Sequence, residues 1–202
     1  MRIAIIGSGI SGLACAWGLR GRHELTLFES EARLGGHTAT MDVQVQGQSY
    51  AVDTGFIVYN DRTYPHLIRL FQQLGLQGRA TDMSFSVATA DGRREYASQS
   101  LSTLFATRTD LLRPSQYRLV RDILRFNREA TALAGAGEDS RTLAEFLADR
   151  GFGHDLAERY VFPLCAAIWS TSLETARLFP AAHFARFFSN HGLLSLNDRP
   201  QW

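Results

Sequence analysis

The chain has no lysine; all 21 of its basic residues are arginine. Against 20 acidic residues this leaves a formal net charge of +1. No bulk field therefore exists to draw in nucleic acid or an acidic membrane as the main partner. Cysteine is nearly absent, with Cys15 and Cys165 alone. Two thiols without a secretory leader make no disulfide framework. Cys15 falls in an apolar helical stretch, where a thiol is expected to pack as a small core residue. No run approaches the ~18 apolar residues of a spanning helix. The start MRIAIIGSG carries one positive charge and few apolar residues before glycine, unlike a signal peptide. The expected compartment is reducing and cytoplasmic. Repeats, charge blocks and low-complexity tracts are also missing.

What is present is the profile of a soluble globular chain, with 202 residues, 45% hydrophobic and 20% charged. That length holds one large domain or two small ones. Residues 2–6, RIAII, are rich in β-branched isoleucine and nearly continuous in apolarity, which predicts a short buried strand. GSGISG follows at once, then LACAWGLR at helical spacing. This is G-x-G-x-x-G at a strand-to-helix turn. Gly7 permits the sharp turn, Gly9 permits backbone approach to a pyrophosphate, and Gly12 permits close packing of helix on strand. Amides of Ser8, Ile10 and Ser11 lie along the same turn, where a helix dipole favours phosphate. HELTLFE reads as a second strand closing on Glu29, 22 residues after Gly7. A ribose-binding acid is expected about 20 residues on. A surface turn with an unrelated exposed glutamate would give the same letters, but strand, turn, helix and acid together predict a dinucleotide.

An acid at this point suits NAD and FAD equally. The next residues, ESEARLGGHT, place Arg33 four after Glu29, then Gly35, Gly36 and His37. This resembles the E-x-x-x-R-x-G-G-[RH] signature of the flavin-dependent amine oxidase superfamily, which includes protoporphyrinogen oxidases and phytoene desaturase-like enzymes. The resemblance implies FAD, lying extended past the chain that leaves the second strand. Gly35 and Gly36 would bare the backbone there. Arg33 suits either a forked contact near the pyrophosphate or a cap on local structure. His37 suits a polar contact on the flavin side or an exposed loop. Residues 38–53 read as a strand, a turn at Gly47-Gln48 and a returning strand ending at Asp53. The sequel DTGFIVYN resembles the superfamily segment that brings backbone beside the flavin ring, making Thr54, Gly55 and Phe56 candidates. A plain β-bend with one glycine at positive φ is the other reading. VDTGFIVYNDRTYPHLIRLFQQLG, IWST and FFSNHGLL resemble a bacterial branch described only as predicted NAD/FAD-binding oxidoreductases.

Further along, residues 63–76 have a helical stripe of Leu67, Leu70, Phe71 and Leu74, with Gly75 as a stop. MSFSVATADGRREYA alternates around Asp91-Gly92, a hairpin signal. Segments 115–134, 142–150, 154–169 and 180–191 read as helices. The first carries Arg118, Arg121, Arg125 and Arg128, spaced to meet lipid headgroups or an acyl-carrier partner, or to form a solvated face with Asp122 and Glu129. Phe162, Trp169, Phe179, Phe184, Phe187 and Phe188 could line an apolar substrate pocket, although at helical spacing most are expected to be core.

The resulting expectation is an α/β protein. Residues 1–77 form an incomplete Rossmann-like FAD/NAD(P)-binding domain, and residues 78–202 form an α+β, mostly helical substrate domain. The resemblance implies an FAD-dependent oxidoreductase that takes hydride from an apolar small molecule such as an amine, isoprenoid or acyl lipid. No catalytic side chain is named. No Ser-His-Asp spacing and no metal-ligand cluster occur among six histidines and two cysteines, which favours cofactor chemistry. Enzymes of that superfamily are longer, and a late segment completes their parallel sheet. A truncated form, a split protein, a partner chain or a swapped dimer are the expectations that follow. A cofactor-binding fragment and an NAD(P)-dependent reductase are the rival readings.

Overall fold

The computed structural model describes residues 1–83, 85–88, 95–97, 112–137, 139–195 and 200–202. The chain divides into two compact units. The first is Met1–Tyr59 with Tyr64–Gly78, and the second is Asn60–Thr63 with Arg79–Trp202.

In the first unit the apolar run forms β1 (Arg2–Ile6), followed by α1 (Ile10–Leu19) and β2 (Glu24–Phe28). The strands pair in parallel from Arg2↔Glu24 to Ile6↔Phe28, and Gly7 N continues the ladder to Phe28 O at 2.8 Å. A hairpin follows, β3 (Thr38–Val45) and β4 (Gln48–Gly55). Its turn is Gln46-Gly47 rather than Gly47-Gln48, both residues having positive φ (52° and 81°). The returning strand runs to Gly55, two residues beyond the expected end. Met41↔Val52 and Val43↔Tyr50 are facing apolar pairs. Each such pair is worth about 0.2–1 kcal/mol. All four side chains stay exposed.

Helix α2 (Pro65–Leu74) opens on proline, whose missing N–H costs nothing at a first turn. It ends at Gly75 in the left-handed region (φ 69°). Gly75 N donates to Gln72 O at 3.2 Å and Leu76 N to Phe71 O at 2.8 Å. These are the paired bonds of a Schellman stop. Trp17 Nε1 donates to Gln73 Oε1 at 3.2 Å and ties α1 to α2.

The second unit holds nearly all of the core: among the described residues every buried hydrophobic except Ile5 lies between Leu119 and Phe188. Strands β5 (Ser86–Ala88) and β6 (Glu95–Ala97) pair antiparallel; the expected turn at Asp91-Gly92 lies outside the described residues. Helix α3 (Pro114–Gly135) buries Leu119, Ile123, Phe126, Ala130 and Leu133 at three- and four-residue spacing. Helix α4 (Leu143–Asp149) starts with a capping box. Glu145 N donates to Thr142 Oγ1 at 3.2 Å, and Thr142 N donates to Glu145 Oε2 at 2.8 Å.

The single helix expected over 154–169 is three pieces. They are α5 (His154–Leu156), a π-helical stretch Ala157–Val161, and α6 (Phe162–Trp169). Pro163 has no N–H for the carbonyl four residues back, and its ring crowds that oxygen, so the preceding turn widens. A short α7 (Leu173–Arg177), capped where Thr175 N donates to Ser172 Oγ at 3.2 Å, has no counterpart among the expected helices. Helix α8 (Ala181–Asn190) packs Phe184 and Phe188, stacked at 4.1 Å, towards Phe126. Phe162, Phe184 and Phe188 are fully buried, and Trp169, Phe179 and Phe187 pack against them. The aromatics considered for a substrate pocket are core or its margin.

Candidate functional site

Three glycines open the site, and each is required for a different reason. Gly7 sits at φ 89°, a conformation side chains rarely tolerate. A Cβ on Gly12 would overlap the carbonyl oxygen of Gly7, so glycine here lets α1 press onto the end of β1. Gly9 is different. Its φ of −64° is open to any residue, and a Cβ there would meet nothing within 4 Å. Neither conformation nor packing among the described residues demands glycine at this position. The space beside it is clear.

Gly9 is also the N-cap of α1, which has no side-chain cap and no acid in its first turn. The first-turn amides, those of Ile10, Ser11 and Gly12, cannot be satisfied inside the helix. Ile10 and Ser11 are exposed. Positive potential from the helix dipole is therefore presented to solvent at the mouth of the clear space.

Ser8 faces the other way. It is fully buried, and its N donates to Glu29 Oε2 at 2.7 Å. Its hydroxyl also donates to Glu29 Oε2 and accepts from Gly35 N at 3.2 Å, while Ser8 O accepts from the same amide at 3.0 Å. Ser8 thus fastens the ends of β1 and β2 to the second glycine cluster, and no group of it remains for a ligand.

Glu29 Oε1 accepts from Ser30 N at 2.8 Å, Glu31 N at 3.0 Å and, weakly, Ser30 Oγ at 3.4 Å. The Ser8 hydroxyl, then these amides, hold the Glu29 carboxyl down at about 2, so it is an ionised pure acceptor.

The second glycine pair has a reason within the chain itself. Gly35 (φ 108°) would drive a Cβ to 2.6 Å from Thr38 O, and Gly36 (φ 58°) would drive one to 3.1 Å from Gly9 Cα. Gly9 and Gly35 form a parallel bridge. The sequence pattern predicts a chain bared for a ligand here; within the chain the pair seats one glycine cluster behind the other. Arg33 locks that seat. Its Nη1 donates to Leu34 O and Thr38 O, both at 3.1 Å, and its Nη2 to Gly36 O at 2.6 Å. Of the two expectations for Arg33, capping local structure is the one seen.

His37 is exposed, and its carbonyl lies where a Cβ on Gly55 (φ 88°) would fall. Thr54 Oγ1 donates across the hairpin to Ala39 O at 3.2 Å. Phe56 is 45% exposed, with its ring 5.8 Å from that of Tyr64. Cys15 is exposed rather than core, because no residue of α1 is buried.

Sequence reasoning missed Asn60. It is fully buried, and its Oδ1 accepts from Arg62 N at 2.9 Å, Thr63 N at 2.8 Å and Thr63 Oγ1 at 3.0 Å. Its Nδ2 is buried without a partner among the described residues. The Asn-Asp-Arg-Thr order was the available signal for this Asx turn.

Open space beside the Gly9 main chain, an uncapped helix start and an ionised acid at the end of β2 suit an adenine dinucleotide. Residues 10–196 match the sequence model of a family described as flavin containing amine oxidoreductase. The chain belongs to that family. A search of the curated proteins gives no match.

Membership makes the chain part of an oxidoreductase family whose cofactor is FAD, and implies a Rossmann-like FAD-binding domain in a mixed α/β chain. The β1–α1–β2 unit fits that cofactor on the strength of Gly9, an N-cap position where no packing contact among the described residues excludes a side chain. No group of three or more His, Cys, Asp or Glu side chains able to hold a metal occurs among the described residues. No helix among them is long and apolar enough to cross a membrane. The second unit carries a cavity of about 330 Å³ lined by Thr81, Asp82, Met83, Leu193, Pro200, Gln201 and Trp202. That size falls in the small-ligand range.

Proposed function

We propose that this chain binds FAD along the first unit and acts as an FAD-dependent oxidoreductase, moving hydride from an apolar small molecule to the flavin. The observation that carries the reading is the clear space at Gly9 beneath the uncapped start of α1.

Bound FAD supplies the hydride acceptor and so the difficult chemical step. The chain's residues supply the hold. Amides of Ile10, Ser11 and Gly12 would donate to the pyrophosphate, with Gly7 and Gly9 in the turn beneath it. Glu29 accepts from the adenosine ribose. Its oxygens already take five contacts, so a ribose hydroxyl would enter by replacing the longest, that of the exposed Ser30 Oγ at 3.4 Å. Ser8, Arg33, Gly35 and Gly36 set Glu29 and Gly9 in place without touching the ligand. His37, Thr54, Gly55 and Phe56 would flank the ring end. The protein's further task is a dry, oriented pocket, and no acid or base is assigned.

Purified protein is expected to show a flavin absorption spectrum. Gly9→Val, which fills the slot, should be colourless with an unchanged far-UV circular dichroism spectrum; full flavin occupancy in that variant would sink the assignment.

One observation favours a second reading, a cofactor-binding portion completed by a partner segment or a second copy. Ile6 and Phe28, at the paired ends of β1 and β2, are 81% and 53% exposed. That reading expects colourless protein that gains a flavin spectrum only when the partner is added.

A further inference from the structure

The arginines of α3 take no role in the proposed hold on the cofactor. The helix turns Leu119, Ile123, Phe126, Ala130 and Leu133 inward. At about 100° per residue the opposite stripe is Tyr117, Arg121, Leu124 and Arg128, with Arg118 on its flank. All five are exposed, Tyr117 at 53% and Leu124 at 49%. The stripe from Tyr117 to Arg128 is roughly 16 Å long at about 1.5 Å per residue.

The carboxylates of α3 lie off this stripe. Asp122 and Glu129 sit on the flanks nearer the core, with side chains 21% and 18% exposed. Glu129 is held by Arg125 at 3.1 Å and Arg150 at 3.2 Å. Asp122 meets its neighbour Arg121 at 3.3 Å. Arg118 and Arg128 form no ion pair among the described residues. The outward half of α3 therefore carries guanidinium groups and apolar side chains but no carboxylate.

We propose that this face docks on an anionic lipid bilayer. A merely solvated face alternates charges of both signs, which support the helix at i,i+4. Here cations alternate with a half-exposed tyrosine and leucine. Guanidinium forks fit phosphate oxygens. Their stems can lie along the helix while Tyr117 and Leu124 enter the boundary between headgroups and acyl chains. Leu112, 86% exposed just ahead of the helix, adds apolar surface. With a net charge of only +1 on the whole chain, the attraction belongs to this patch.

Flotation of the whole chain with vesicles of phosphatidylcholine mixed with phosphatidylglycerol, against phosphatidylcholine alone, tests the proposal. Binding is expected to the mixed vesicles alone and to weaken with salt. Near a charged surface each arginine contributes about fivefold, so Arg121→Gln with Arg128→Gln should weaken binding roughly 30-fold. Leu124→Ser should weaken it while leaving the salt dependence unchanged. These exposed positions leave folding intact, which circular dichroism checks. A chain that stays in solution with mixed vesicles overturns the proposal, as does equal binding to neutral vesicles or undiminished binding by the arginine variant. An acidic protein partner would give the first of these results. Flavin plays no part in the readout, so this test and that of the cofactor cradle fail independently.

Discussion

Gly9→Ala separates a glycine kept for a ligand from one kept for the fold. The added methyl enters clear space at φ −64°. Restricting the unfolded chain at a compatible φ stabilises by about 0.4–1 kcal/mol. Alanine is a poorer N-cap than glycine, and that costs about 0.5–1 kcal/mol. The two offset, so the flavin-free variant should unfold within about 0.5 kcal/mol of wild type, which for a chain of this size is about 2 °C in Tm.

Gly12→Ala is the contrast, since its methyl falls on the Gly7 carbonyl oxygen and α1 must lift away. Such overpacking costs about 1–3 kcal/mol, or a drop of roughly 2–12 °C. Flavin affinity reverses the ranking for Gly9. A methyl between main chain and pyrophosphate removes at least one charged hydrogen bond, about 1.5–3 kcal/mol and hence about 10- to 150-fold in Kd. Thermal unfolding of flavin-free protein and a flavin fluorescence titration measure the two effects. If Gly9→Ala binds FAD as wild type does, the clear space has another cause. If it unfolds as early as Gly12→Ala, the space is not clear.

Ser8→Ala removes a Glu29 donor inside a buried hub and should cost about 1–3 kcal/mol in urea unfolding. Because Glu29 titrates lower in the folded chain than in the unfolded one, its stabilisation is full above about 4.5 and disappears as pH falls through about 2. The slope of stability with pH across that window should flatten in Ser8→Ala; an unchanged slope would exclude the Ser8–Glu29 contact as its source. A thiol reagent should label Cys15 alone in the native chain, because Cys165 is buried and its thiol is pushed up to about 12 by desolvation. Rapid labelling of both would refute that core. Thr142→Ala should lower stability by about 1 kcal/mol through loss of the capping box, seen as a Tm drop of about 2–4 °C; no change would show that α4 does not depend on its cap.

The β1–α1–β2 unit was legible because a β-branched run, a glycine turn and an apolar helix are local signals that agree. The burial of Ser8 was not, since it depends on β2 and Gly35 arriving beside it. Gln46 advertises no left-handed turn, and the hairpin turn sits one residue earlier than its letters suggest. Gly35 and Gly36 look from sequence like concessions to a ligand, and their positive φ and the approach of Gly9 to Gly36, which no letter pattern shows, also call for glycine there. Pro163 carried the one visible hint of the break in 154–169. Cys15 and the aromatics of 162–188 show the limit of apolar patterning. It says what can be buried, and packing partners decide: α1 has no residue buried, whereas α6 and α8 meet α3 in one core.

A crystal structure of the chain with FAD tests the central claim most directly. The pyrophosphate is expected on the amides of Ile10, Ser11 and Gly12 over Gly9, with the adenosine ribose on Glu29 in place of the Ser30 hydroxyl. FAD seated elsewhere, or a ribose that leaves Glu29 untouched, would contradict it.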